Sequence, residues 1–281
     1  MKRIILVVVL VAIAGIAGIV RSHSKTGSLS EWPLVIHGDK QSTGSVREEI
    51  RKSYELSPGA RVEVSGINGA VKIETSDSKT ADVYIERTGA SREVLSRRRV
   101  TVESTTAGLT IRGEKGDGSF FTRIFGAKPT ERVTLRLPRQ ISLIASGVNG
   151  AVVVGEIEGS VECHGINGRV DIAQASGSAE FNGINGNISV ALSKLEKNGI
   201  DIHGINGNIE LRLSEGVNAD LDAHGMNGDV ISDLPNVAVD KGGRGSYSAR
   251  IGNGGNSISA SGINGNIRLT RMVTASAISG L

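Results

Sequence analysis

The tetrapeptide Gly-apolar-Asn-Gly occurs seven times, at 66–69, 147–150, 165–168, 183–186, 204–207, 225–228 and 262–265. From the second copy onward the starts advance by 18, 18, 21, 21 and 37 residues, and the first gap is 81. A recurring period near 20 marks a repeat architecture and outranks any local assignment. On that reading the gap of 37 holds about two periods and the gap of 81 about four.

The flanks repeat as well. Before each motif two apolar residues alternate with a variable one, as in Val62 and Val64, Val161 and Cys163, or Ile200 and Ile202. After it the alternation resumes with Val71 and Ile73, Val170 and Ile172, Ile209 and Leu211. Period-two alternation is the pattern of half-buried strands. The unit is therefore strand, corner, strand, with a second corner at Gly159, Gly177, Gly199 and Gly216.

Two architectures fit such a unit. One is a meander of hairpins turned by Asn-Gly. The other stacks successive units in parallel as a β-solenoid. The residue inside the motif separates them: Ile67, Val148, Ile166, Ile184, Ile205, Met226 and Ile263. In a two-residue hairpin these seven would need a second buried surface, whereas a solenoid corner turns them all inward. We favour an all-β, single-domain β-solenoid (β-helix) with coils of about 18–21 residues. Stacking also brings Asn68, Asn149, Asn167, Asn185, Asn206, Asn227 and Asn264 into register, where side-chain amides bond to one another. Corner chemistry accounts for these residues, since Asn tolerates left-handed backbone and Gly supplies positive φ.

The expected organisation is an apolar signal segment over 1–20, a flexible linker over 21–45, the solenoid over 46–272 and a tail over 273–281. Within the solenoid, 46–140 is read as diverged head coils and 141–272 as regular repeats. Lys2-Arg3 precedes seventeen uncharged residues, 4–20, as in an export signal, here an apolar helix ahead of the solenoid. Ala12-Ile13-Ala14 offers a cleavage site. Seventeen residues also make roughly 26 Å of helix, close to a bilayer core, so a retained anchor is the alternative. Either way the remainder is expected outside the cytoplasm, in the periplasm or on the cell surface. Without Lys2 and Arg3 the chain carries 30 basic against 29 acidic residues, which gives no footprint for nucleic acid. The one basic cluster, Arg92 with Arg97, Arg98 and Arg99, reads as a solvated strand end, with an anionic polymer site as the sharper alternative.

Chemistry-bearing patterns are few. The sequence lacks a Gly-x-Ser-x-Gly elbow, a phosphate loop and a His-Glu-x-x-His pair. One cysteine excludes a disulfide framework and a Cys-based metal cluster. Glu162, Asp171, Glu180, Asp201, Glu210, Asp222 and Asp229 alternate with core positions and read as solubilising. The residue before each motif is Ser65, Ser146, His164, Asn182, His203, His224 or Ser261. His203 and His224, 21 residues apart, are expected on adjacent strands, where they form part of a polar ladder or share a divalent metal. Phe120, Phe121 and Phe125 sit together and suggest either a cap over the core or an exposed partner patch.

The run Arg132-Val-Thr-Leu-Arg-Leu-Pro138, then 141–145, then Gly147-Val-Asn-Gly150, resembles bacterial candidate-adhesin families of unknown function. One of these, the head GIN domain, takes its name from a Gly-Ile-Asn tripeptide. The ending 254–269 is similar to their closing coils, and the resemblance covers about 46–270. It implies an exported β-helical domain with an adhesive or envelope role, no cofactor and no catalytic residues. The expectation is a non-catalytic adhesin-like or scaffold protein that meets an envelope protein or glycan and, where 4–20 is retained, the membrane. A glycan-active enzyme on the same fold and an envelope-stress sensor are the alternatives.

Overall fold

The computed structural model describes residues 45–116, 128–235 and 237–272. All belong to one compact unit, Gln41–Leu281. The expected helix over 4–20 and the Phe120, Phe121 and Phe125 group lie outside the described residues. Among those described, no helix is long and apolar enough to cross a membrane.

The described chain is all-β apart from one short helix. Its head comprises β1 (Val46–Glu55), β2 (Ala60–Ser65), β3 (Val71–Ser76), β4 (Thr80–Gly89), α1 (Arg92–Ser96), β5 (Arg98–Thr105), β6 (Gly108–Lys115) and β7 (Thr130–Pro138). The middle comprises β8 (Ile141–Ser146), β9 (Val152–Ile157), β10 (Val161–His164), β11 (Val170–Ala175), β12 (Ala179–Asn182), β13 (Ile188–Leu192), β14 (Ile200–Asn206) and β15 (Ile209–Leu213). The tail comprises β16 (Ala219–His224), β17 (Val230–Ser232), β18 (Val239–Gly243), β19 (Ser246–Ile251), β20 (Asn256–Asn264) and β21 (Ile267–Arg271).

These strands form two sheets. Ten lie in the order β1-β4-β7-β3-β9-β11-β13-β15-β21-β17, and eleven in the order β18-β19-β16-β20-β14-β12-β10-β8-β2-β6-β5. Each Gly-apolar-Asn-Gly corner carries the chain from the eleven-stranded sheet to the ten-stranded one. Between β8 and β15 every neighbouring pair is parallel, for example Val161 against Ala179 and Val170 against Ile188, and the register is kept except for a shift between Ile172 and Ala175 where β11 meets β13.

The expected β-solenoid is corrected on this evidence. The fold is two large mixed sheets that do not close, with antiparallel pairs at both ends. In the head β1 pairs β4, β4 pairs β7 and β5 pairs β6 antiparallel; in the tail β19 lies antiparallel between β16 and β18. Residues 77–116 and 237–251 contain no Gly-apolar-Asn-Gly corner, and there β5–β6 and β18–β19 reverse the chain as antiparallel hairpins. The 81-residue gap is an excursion, not four further units: β2 pairs β8 directly. The 37-residue gap is not two periods in line either. The last unit, β20 with β21, inserts between β14–β15 and β16–β17.

The core lies between the sheets and is aliphatic. All seven motif-centre residues point into it, six at 1% exposure and Met226 at 8%. Close corner stacking demands glycine. At Gly168, with φ of 157°, a Cβ would stand 2.3 Å from the Gly150 carbonyl oxygen.

Candidate functional site

The corners present a column of side-chain amides. Asn149 Nδ2 donates to Asn68 Oδ1 at 2.9 Å, and Asn167, Asn185 and Asn206 each donate to the one before at 3.0–3.1 Å. Asn264 then donates to Asn206, and Asn227 to Asn264, both at 3.0 Å. The column is closed at the head: Asn68 Nδ2 donates to the Pro129 carbonyl at 2.7 Å, and its backbone N–H to Glu131 Oε2 at 2.9 Å.

Glu131 is fully buried and also accepts from Arg98 Nε at 2.9 Å. Arg98 donates further to the Gly66 carbonyl. The basic cluster therefore does not read as a solvated strand end throughout, because Arg98 is spent on the end of the amide column with its side chain only 15% exposed. Beside it Arg87 is buried, donating to Glu48 and to the Leu95 carbonyl at 2.6 Å each. Each stands in the inward phase of its strand, Glu131 with Val133 and Leu135 and Arg87 with Val83 and Ile85, so the alternation puts a charge on the buried face at both positions, a signal the sequence reading did not use.

A second amide row escapes the tetrapeptide pattern, because it falls on the residue that follows it. Asn187 Oδ1 accepts the Asn208 N–H at 2.9 Å, Asn208 Oδ1 that of Asn266 at 3.0 Å, and Asn266 Oδ1 that of Asp229 at 2.9 Å. These bonds use the carbonyl ends and leave the exposed Nδ2 groups facing outward. Two residues further along each strand runs a parallel row, Asp171, Ser189, Glu210, Arg268 and Ile231, on consecutive neighbours of the ten-stranded sheet. Between the rows lies an open trough of about 560 Å³, whose lining also includes Arg169. Of the acids singled out from sequence, Asp171 and Glu210 line it.

Asp229 lies in the corner before β17, while Glu162, Glu180, Asp201, Asp222 and the three described histidines lie on the eleven-stranded sheet. Asp201, Glu180 and Glu162 are successive register partners, and Asp222 is separated from Asp201 by Ser259. Next to them runs the row His224, Ser261, His203, Asn182, His164, Ser146 and Ser65. The expected adjacency of His203 and His224 is corrected: Ser261 stands between them because β20 has entered between β14 and β16. The two stand two strand spacings, roughly 9–10 Å, apart along the row, and each ring has another partner. His203 Nδ1 instead meets Ser261 Oγ at 2.6 Å, and His224 Nε2 pairs with Asp222 at 2.9 Å. His164 lies 3.7 Å from Glu162 and 3.8 Å from Glu180. No group of three or more His, Cys, Asp or Glu able to hold a metal occurs among the described residues. Cys163 is buried, and desolvation pushes its thiol up to about 12.

No protein family and no curated sequence matches the chain. Solved structures do show likeness. A candidate cell adhesion protein from Clostridium sporogenes aligns at 12% identity over 80% of this chain and 100% of its own, with a TM-score of 0.35. A candidate adhesin from Bacteroides fragilis aligns at 11% identity over 79% and 97%, with a TM-score of 0.38. A candidate lipid binding protein from Parabacteroides distasonis aligns at 11% identity over 80% and 95%, with a TM-score of 0.29. The chain is thus similar to structures named as adhesins. At TM-scores below 0.5 its architecture and function rest on its own geometry.

Proposed function

We propose that the chain is a non-catalytic, exported, adhesin-like or scaffold protein that offers its outer sheet faces to an envelope protein or glycan. The observation that carries this reading is the trough on the ten-stranded sheet. Its one wall is a row of outward amide donors from Asn187, Asn208 and Asn266, and its other wall carries Asp171, Ser189, Glu210 and Arg268. Donors and charges repeat at the strand spacing of about 4.8 Å, which suits an extended, repetitive polar ligand laid across the strands. The amide wall is fixed to the backbone through its Oδ1 atoms, which lowers the ordering entropy that opposes binding there. The segment Lys2-Arg3 followed by 4–20 supports export.

A panel of glycans and envelope proteins, titrated against the full chain and a Ser189→Trp variant, tests this. Ser189 sits mid-trough and is only partly buried, so the indole fills the trough and leaves both amide rows intact. The expected result is a ligand whose affinity falls at least tenfold in the variant at unchanged melting temperature. Unchanged affinity in the variant, or turnover of a bound glycan by the wild-type chain, contradicts the proposal.

A further inference from the structure

The position of the last repeat unit is at odds with its place in the chain. β20 and β21 lie between β14–β15 and β16–β17, although they are made after both. The slot they occupy is one unit wide. Its walls are the fifth and sixth motifs, which start 21 residues apart. The fourth and fifth motifs are also 21 residues apart, and their strands β12 and β14 pair directly.

We infer that β20–β21 is exchangeable, and that the slot between β14–β15 and β16–β17 accepts the same strand pair from a second copy of this chain. Three features carry the inference. First, the slot's contacts are made by the inserted pair itself: Ile258, Ala260, Ile263, Ile267 and Leu269 are all at most 1% exposed. A donated copy restores each of them, together with the Asn206–Asn264–Asn227 amide bonds. Exchange of identical elements changes only the connecting segment.

Second, that segment is built to redirect the chain. Gly252, Gly254 and Gly255 all have positive φ, at 58°, 72° and 125°, and Asn253 is the remaining residue. It is held by side chains of β16 and the residue before it: Asn218 Oδ1 accepts the Asn253 N–H, and Asp220 Oδ2 the Gly255 N–H, both at 2.8 Å. These few exposed bonds are what an opening must break at the hinge. Third, opening does not strand two bare strand edges. With β20–β21 withdrawn, the 21-residue spacing lets β16–β17 dock on β14–β15 as β14–β15 docks on β12–β13.

The test uses two single variants of the full chain, His203→Cys and Ser261→Cys, at positions that are register partners in β14 and β20. The two are unfolded together, refolded together at several concentrations and oxidised. Peptide mapping then looks for a disulfide joining position 203 of one chain to position 261 of the other. Buried Cys163 stays out of the reaction. The double variant in a single chain shows that the pair can close. The expected result is a cross-chain 203–261 link whose yield rises with refolding concentration, and a wild-type dimer fraction in size-exclusion chromatography that rises in parallel. If the double variant closes within its own chain and the mixture gives no cross-chain link, exchange is overturned. If the double variant does not close, the chromatography decides: a wild-type chain that is monomeric across a hundredfold concentration range overturns it equally.

Discussion

Asn264 donates its side-chain amide to Asn206 at 3.0 Å, across 58 residues of chain, while Asn227, only 21 residues from Asn206, is one place further along the column. Column order and chain order therefore part company at the fifth motif. An interior member such as Asn185 both donates and accepts within the column, whereas Asn227 at its tail end only donates. At about 0.5–1.5 kcal/mol net per bond, Asn185→Ala is expected to cost about 1–3 kcal/mol and Asn227→Ala about half as much. Urea unfolding midpoints at constant m-value read the difference.

Glycine identity matters at some corners and not at others. Gly168→Ala places a Cβ against the Gly150 carbonyl at a backbone φ that L-residues avoid, and is expected to cost about 3 kcal/mol or more. Gly216→Ala meets no atom within 4 Å at an ordinary φ, and is expected to be neutral or stabilising by up to about 1 kcal/mol. Thermal melts of the two variants side by side check this.

The Glu131–Arg98 pair closes the head of the column in a buried site. Removing one partner leaves the other charge uncompensated, so Glu131→Ala is expected to cost about 3–5 kcal/mol. Loss of the acceptor for the Asn68 N–H adds to this. The double variant Glu131→Leu/Arg98→Met removes both charges and is expected to be more stable than Glu131→Ala alone. Chemical denaturation of the three proteins reads the order.

Asp220 titrates below the ordinary carboxylate range, chiefly because it accepts the Gly255 N–H and then because of Arg250. A depressed carboxylate contributes stability that is fully present above its unfolded pKa of about 3.9 and is lost as pH falls through the lower folded value. The hinge at 252–255 should therefore loosen only in acid. Hydrogen exchange at the Asn253 and Gly255 amides is expected to speed up, relative to an Asp220→Asn variant, as pH drops below about 4.

Cys163 gives a complementary reading. Burial holds its thiol protonated up to about 12, so alkylation at pH 8 should follow global unfolding and not local access. The sign is opposite to that of Asp220: an unfolded thiol ionises first, so stability declines as pH rises above the unfolded thiol's value.

Much of the local structure was legible in the sequence. Alternation such as Val62–Val64 and Val71–Ile73 marks strands because period two is the geometry of a pleat. The motif fixes its own bend because Gly66 and Gly69 must take positive φ. Neighbour order was not legible. Motif identity tells which units can stack, and every unit offers the same walls, so nothing local distinguishes β16 from β20 as the partner of β14. The same ambiguity misplaced His224 beside His203 and counted the 81-residue excursion as stacked units. Glu131 escaped notice for another reason: its partners Arg98 and Asn68 are 33 and 63 residues away, and only the fold brings them together. The second amide row was missed because Asn187, Asn208 and Asn266 lie one residue outside the tetrapeptide that drew attention.

The insertion of the last repeat unit is the claim on which the corrected fold, the histidine geometry and the exchange all depend. Two double variants of the native, never-unfolded monomer test it: His203→Cys/Ser261→Cys and His203→Cys/His224→Cys, each oxidised under the same mild conditions. The structure predicts that the 203–261 pair, on adjacent register partners, closes within the monomer and that the 203–224 pair, two strands apart, stays reduced. Closure of 203–224 with 203–261 left open would contradict it.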